Sequence, residues 1–111
     1  MRHIEVIMTT LNNSQDDGVR ALQRLVTLCL RHQGGSTFPI IHFLMSLYNG
    51  EYYRPDMQLL CGRVDDGHFD DVVQVMRLYR SNRVEPHVYF KDGSQKFERL
   101  ASMVRPIKRL R

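Results

Sequence analysis

The stretch Phe38-Pro39-Ile40-Ile41-His42-Phe43-Leu44-Met45-Ser46-Leu47-Tyr48 decides the fold. Only Pro39, His42 and Ser46 in it are not apolar. A helix that is apolar nearly all round is buried, so the reading is a central helix with the rest of the chain packed about it. Ser36 or Thr37 is placed to cap its start, and proline is tolerated in a first helical turn. Asn49-Gly50 ends it.

Working outward toward the N-terminus, Val19, Leu22, Leu25, Val26, Cys29 and Leu30 recur at helical spacing. With Ala21 and Leu28 they make an apolar arc roughly 200° wide. Such an arc suits either a core face or a homodimer face. Arg20, Arg24 and Arg31 occupy the opposite face. Ser14 with Asp17 fits an acidic capping box at the start, and Gly34-Gly35 fits the end.

Toward the C-terminus, residues 51–55 read as a loop carrying Tyr52, Tyr53 and Arg54. Asp56 is expected to cap a short turn over 57–61 that Gly62 closes. Asp65 or Asp66 then caps a long helix reaching about Asn82, with Phe69, Val72, Val73, Met76 and Tyr79 as its apolar stripe. Pro86 and Gly93 bracket an irregular stretch. Ser94 caps a last helix with Phe97, Leu100, Ala101 and Val104 inward, and Pro106 stops it. The expected fold is all-α: a single irregular bundle of four main helices plus one short helix.

The helical domain is placed at residues 14–106, with a basic tail at 107–111 and an N-terminal extension at 1–13. The extension is either flexible or a short strand through Ile4, Val6 and Ile7. Met8 offers an alternative start, which would make residues 1–7 dispensable.

The chain has 111 residues, a length that fits one domain. With 42% hydrophobic and 25% charged residues, it is neither disordered nor collagen-like. Two cysteines make no disulfide framework. No apolar run approaches a membrane span of ~20 residues, and the first residues lack the pattern of a secretory leader. A cytoplasmic location is the expectation. The net charge of +4 comes from the end of the chain, where Arg105, Lys108, Arg109 and Arg111 follow one another without an acid. The pI therefore describes a tail and not a basic domain.

Asp65, Asp66, His68, Asp70 and Asp71 form the densest polar cluster. Hard cations take oxygen ligands, but neighbouring aspartates on a helix point about 100° apart. Acids at a helix start are explained by capping and by the dipole. No metal and no cofactor is expected. The same aspartates would repel DNA from a helix-turn-helix built on this segment. His42 and Ser46, four apart, read as a hydrogen-bonded pair inside the bundle. Cys29 and Cys61 read as small buried hydrophobes. His3, His32 and His87 have no ligand spacing. No catalytic residue emerges.

An ordered set of residues carries a resemblance. Ala21-Leu22, Arg24-Leu25, Gly35-Ser36, Phe43-Leu44 and Asn49 begin it. Asp56, Val64-Asp65, Asp70-Asp71, Pro86, Gly93, Phe97-Glu98, Leu100 and Arg105-Pro106 complete it. In their order and most spacings they resemble an uncharacterised family of small helical proteins encoded on bacterial plasmids and integrative elements. The resemblance runs from about Gly18 to Pro106, and 64–72 matches best. It implies a bacterial mobile-element context and assigns no activity.

The expectation is a small non-enzymatic protein-binding or regulatory factor of a bacterial mobile genetic element. An inhibitor of a host defence complex is one concrete version. Tyr52, Tyr53 and Arg54, with Arg20, Arg24 and Arg31, are the candidate partner contacts, since Tyr and Arg are enriched in binding hot spots. The alternative is a nucleic-acid-binding accessory factor that uses the arginine face and the tail, Arg105, Lys108, Arg109 and Arg111.

Overall fold

Two of the helices begin where a short side chain takes over an unpaired backbone donor. The computed structural model describes residues 13–107, with side chains from residue 16 onward. Among the described residues there are five α-helices and one 3₁₀ turn, and no strand. They are α1 (Asn13–Arg31), α2 (Phe38–Tyr48), α3 (Met57–Arg63), α4 (Asp66–Asn82), the 3₁₀ turn Pro86–Tyr89 and α5 (Gly93–Ala101). The all-α expectation holds, with α3 as the short helix. The strand considered at Ile4 to Ile7 and the tail residues Lys108, Arg109 and Arg111 lie outside the described residues.

Asp56 caps as expected, and of the two candidates Asp65 and Asp66 it is Asp65 that caps α4. Each of these caps sits in extended backbone, where its carboxylate can turn back to the helix. Asp56 Oδ1 accepts from the Leu59 amide at 3.1 Å, and Asp65 Oδ1 from the His68 amide at 2.9 Å. Three other expected caps differ. Thr37 holds the N-cap position of α2 but has helical backbone angles, which turn its hydroxyl away from the helix start. That hydroxyl donates to the Gly34 carbonyl at 3.1 Å and accepts from the Gly34 amide at 3.0 Å. It fixes the preceding turn instead. Ser94 lies inside α5, which begins at Gly93, and Ser14 lies inside α1, which begins at Asn13.

Helix α2 is the centre of the molecule. Pro39, Ile40, Ile41, Phe43, Leu44 and Met45 are all buried, and α2 touches α1, α3, α5 and the 3₁₀ turn. The most extensive pairing is α1 with α4. Gly18 permits it: a Cβ there would stand 2.8 Å from Leu78 Cβ and 3.2 Å from the Gln74 carbonyl oxygen. This close approach sets which side of α4 turns inward. The buried residues are Val72, Val75 and Leu78, whereas Met76, placed in the stripe from spacing, is 40% exposed. The apolar arc of α1 is covered within the chain, with Val19, Ala21, Leu22, Leu25, Val26 and Cys29 all in the core.

The far end of the bundle is closed by aromatic rings. Tyr48 stacks on Phe97 with centroids 5.1 Å apart and meets His87 edge-on at 5.1 Å. The segment read as irregular contains the 3₁₀ turn, and Gly93 lies tight beneath the His87 backbone. Past α5 the chain turns back, and the Ile107 amide donates to the Tyr52 carbonyl at 2.7 Å.

An arginine-lined groove as the candidate functional site

Positions 20, 24, 27 and 31 step by four, three and four, which puts them on one stripe of α1. The structure confirms a shared exposed face for Arg20, Arg24 and Arg31, but gives each arginine a different state. Arg20 pairs within its own helix, with Asp16 at 2.7 Å and Asp17 at 3.4 Å. Arg24 reaches across to α4 and grips Asp71 with both arms of its guanidinium. Its Nε donates to Oδ2 at 3.1 Å and its Nη2 to Oδ1 at 2.8 Å. That hydrogen bonding, opposed in part by desolvation, pushes the Arg24 pKa above its ordinary value. Arg31, in the last turn of α1, has no ion pair among the described residues.

The Arg24–Asp71 contact links α1 to α4 at the groove wall. Asp71 is only 13% exposed, so removing Arg24 would leave a largely covered carboxylate without its fork. Arg24→Ala is expected to cost about 1–2 kcal/mol, and a double-mutant cycle with Asp71→Ala to return a coupling of about 1 kcal/mol. Urea titrations of the four proteins measure it. A coupling near zero would show that the two side chains do not meet in solution.

Beside the stripe lies an open hollow of about 540 Å³. Arg20, Arg24, Arg31 and Leu28 line it from α1, with His32 beyond the helix end and His68 from α4. A second hollow of about 250 Å³ shares Leu28, His32 and His68 with the first. Arg63, Val64 and Asp65 extend it. The two form one groove with a floor of Leu28 and Val64. Arg63 ends α3, is exposed, and has no ion pair among the described residues. The rim at Ser36 and Thr37 is held by the Thr37–Gly34 bonds. Sequence reasoning found the α1 stripe, but it set His32 aside, read His68 only as part of the acidic cluster and did not single out Arg63. They come from three separate places in the chain, and no local pattern joins them.

The Tyr52 to Arg54 loop lines neither hollow. Tyr53 is 9% exposed and belongs to the core, Tyr52 is half-buried, and Arg54 is exposed. Arg54 Nε donates to the Gly50 carbonyl at 2.9 Å, which closes the loop on itself. Arg105 is exposed, two residues before the Ile107 contact with Tyr52.

The acidic cluster divides into separate structural tasks. Asp65 caps α4 and stands 3.1 Å from His68 Nδ1, while Asp71 holds Arg24. Among the described residues no three His, Cys, Asp or Glu side chains are grouped to hold a metal ion. The expected His42–Ser46 pair is replaced by a local bond, in which the Ser46 hydroxyl donates to the Phe43 carbonyl at 2.6 Å. A serine in a helix can always reach the preceding turn.

The two cysteines differ. Cys29 is buried, and desolvation pushes its thiol up to about 12. Cys61 is exposed, contrary to its reading as a buried hydrophobe, because α3 buries only Leu60. A disulfide-exchange reagent that consumes thiolate should therefore modify one thiol in the native protein and the second only in denaturant. Two rapid equivalents without denaturant would contradict the packing of Cys29. Burial also raises the Tyr89 phenol, against a smaller opposing effect of the hydrogen bond from Asn82. Both groups hold their protons longer folded than unfolded. Stability should then fall as pH rises past their ordinary values of 9.0 and 10.0. Urea midpoints between pH 7 and 10.5 would register the decline.

A small helical domain with an open polar groove is the class that fold and site define. Residues 19–105 match the family of unknown function DUF7673, and the chain belongs to that family. No curated protein and no solved structure matched it. No helix among the described residues is long and apolar enough to cross a membrane.

Proposed function

We propose that this protein is a non-enzymatic binding protein of a bacterial mobile genetic element, acting in the cytoplasm by docking on a partner protein. The observation that carries the reading is the groove, in which arginines and histidines from three parts of the chain meet over an apolar floor. Arginine beside apolar surface is the composition of binding hot spots. The resemblance to proteins of plasmids and integrative elements supplies the context. Inhibition of a host defence complex is a concrete form of such a role.

Affinity capture from a bacterial host, with and without nuclease, tests it. The expected result is a stoichiometric protein partner that survives nuclease. Capture of nucleic acid alone would favour the second reading, a nucleic-acid accessory factor. One observation speaks for that reading: the Ile107 amide bonds to the Tyr52 carbonyl, which joins the segment carrying Arg105 to the loop carrying Arg54. In that case deleting residues 108–111 should weaken DNA binding and flatten its salt dependence.

A further inference from the structure

We infer that the groove takes an extended acidic segment of a partner protein, whose carboxylates pair with Arg31 and Arg63 and whose aliphatic side chain lies on Leu28 and Val64. The inference rests on the protein-binding reading and gives it a location and a chemistry.

The charge state of each arginine selects the occupant. Arg20 and Arg24 are neutralised by Asp16, Asp17 and Asp71. Of the arginines that line the groove, Arg31 and Arg63, at the last turns of α1 and α3, are the two without an ion pair among the described residues. One belongs to each hollow, and the shared wall of Leu28, His32 and His68 lies between them. A guanidinium holds a carboxylate through two parallel hydrogen bonds, as Arg24 already does with Asp71. The larger hollow falls within the ~300–1,000 Å³ range of ligand sites. Two separated cations over an aliphatic floor match a chain that alternates acid and aliphatic residues.

The same charges disfavour a nucleic-acid strand here. Asp65 lines the groove, and Asp16, Asp17 and Asp71 sit against its arginines. A polyphosphate must run its charges past all four, whereas a peptide can place its acids only where Arg31 and Arg63 wait. Phosphate binding draws on many neutralised contacts, and few are open.

The test uses the full ¹⁵N-labelled chain and a pool of short peptides in which Asp or Glu alternates with Leu or Ile. A pool with Lys in place of the acids and a single-stranded oligonucleotide serve as competitors. Saturable shifts are expected at the amides of Arg31, His32, Arg63 and His68 with the acidic pool alone. The double variant Arg31→Glu/Arg63→Glu should lose at least about ten-fold in affinity. Arg31→Lys/Arg63→Lys, which keeps the charges but loses the two-pronged hydrogen bonding, should fall between the wild type and the charge-reversed variant. Both arginines are exposed, so the melting temperature should barely move, which separates lost binding from lost folding. Absence of saturable shifts, shifts confined to residues 50–54, unchanged affinity after charge reversal, or tighter binding of the oligonucleotide at the same amides would each overturn the inference. The two readings fail separately. A captured host partner retained equally by the charge-reversed variant removes the groove assignment alone. Absence of any nuclease-resistant partner for the wild type removes the protein-binding reading and the groove's occupant with it.

Discussion

Gly93→Ala is expected to remove about 4 kcal/mol or more of folding free energy. A Cβ at Gly93 would stand 1.7 Å from the His87 carbonyl oxygen and 2.6 Å from its carbonyl carbon. No side-chain rotation relieves that overlap, because the obstacle is backbone. The backbone in turn has little room to yield. Pro86 fixes the entry to the turn, and the His87 carbonyl accepts from the Phe90 amide at 3.2 Å. Tyr89 is buried and receives a hydrogen bond from Asn82 Nδ2 at 3.0 Å. To admit one methyl group, the 3₁₀ turn must lift from α5 or α5 must slide, and either exposes the aromatic end of the core. A single domain holds about 5–15 kcal/mol in total, so such a loss should leave the variant partly unfolded at room temperature. Gly62→Ala is the control. Nothing lies within 4 Å of a Cβ at Gly62, and an alanine inside a helix gains about 0.5–1 kcal/mol over glycine. Urea midpoints of the two variants should move in opposite directions. Equal midpoints would mean that α5 does not press on the His87 turn.

The second large effect is expected at Phe97, whose replacement by alanine should cost about 3–5 kcal/mol. Phe97 is fully buried. Its ring stacks on Tyr48 at an interplanar angle of 28° and meets Phe90 edge-on with centroids 6.2 Å apart. The ring, on α5, joins α2 through Tyr48 and the chain after the 3₁₀ turn through Phe90. Removing it forfeits the burial of the ring and leaves a void that neighbours tied into helices cannot fill. Phe97→Leu should cost less, because it refills part of the volume. The order wild type, Leu, Ala in unfolding free energy is the outcome to check. A cost for alanine below about 1 kcal/mol would show that this end of the bundle is loosely packed.

The fold was more legible than the site because different ranges of interaction specify them. Asp56 and Asp65 were readable as caps because a cap needs one short acceptor and an amide three residues on. Thr37 misled because its hydroxyl had a second local partner in Gly34, and backbone angles chose between them. On α4, spacing alone put Met76 inward. The contact with Gly18 of α1 turned Val72, Val75 and Leu78 to the core instead. The arginine stripe was visible from periodicity. That Arg24 is held by Asp71, 47 residues away, was not. Nor was the gathering of Arg31, His32, Arg63 and His68 about two adjoining hollows.

The sequence by itself determined that the chain is all-α, that residues 38–48 run through the centre, and where α3 and α4 begin. Each of these follows from hydrophobic periodicity or from hydrogen bonds closed within a few residues. Only the tertiary structure decided which of the groove's arginines are held in ion pairs and which are not. It alone decided that Gly93 must lack a side chain, and that the groove draws on α1, α3, α4 and the turn after α1. Those features depend on how closely two helices approach and on which side chains meet across them. Close approach is fixed by packing between segments distant in sequence, which no local pattern encodes.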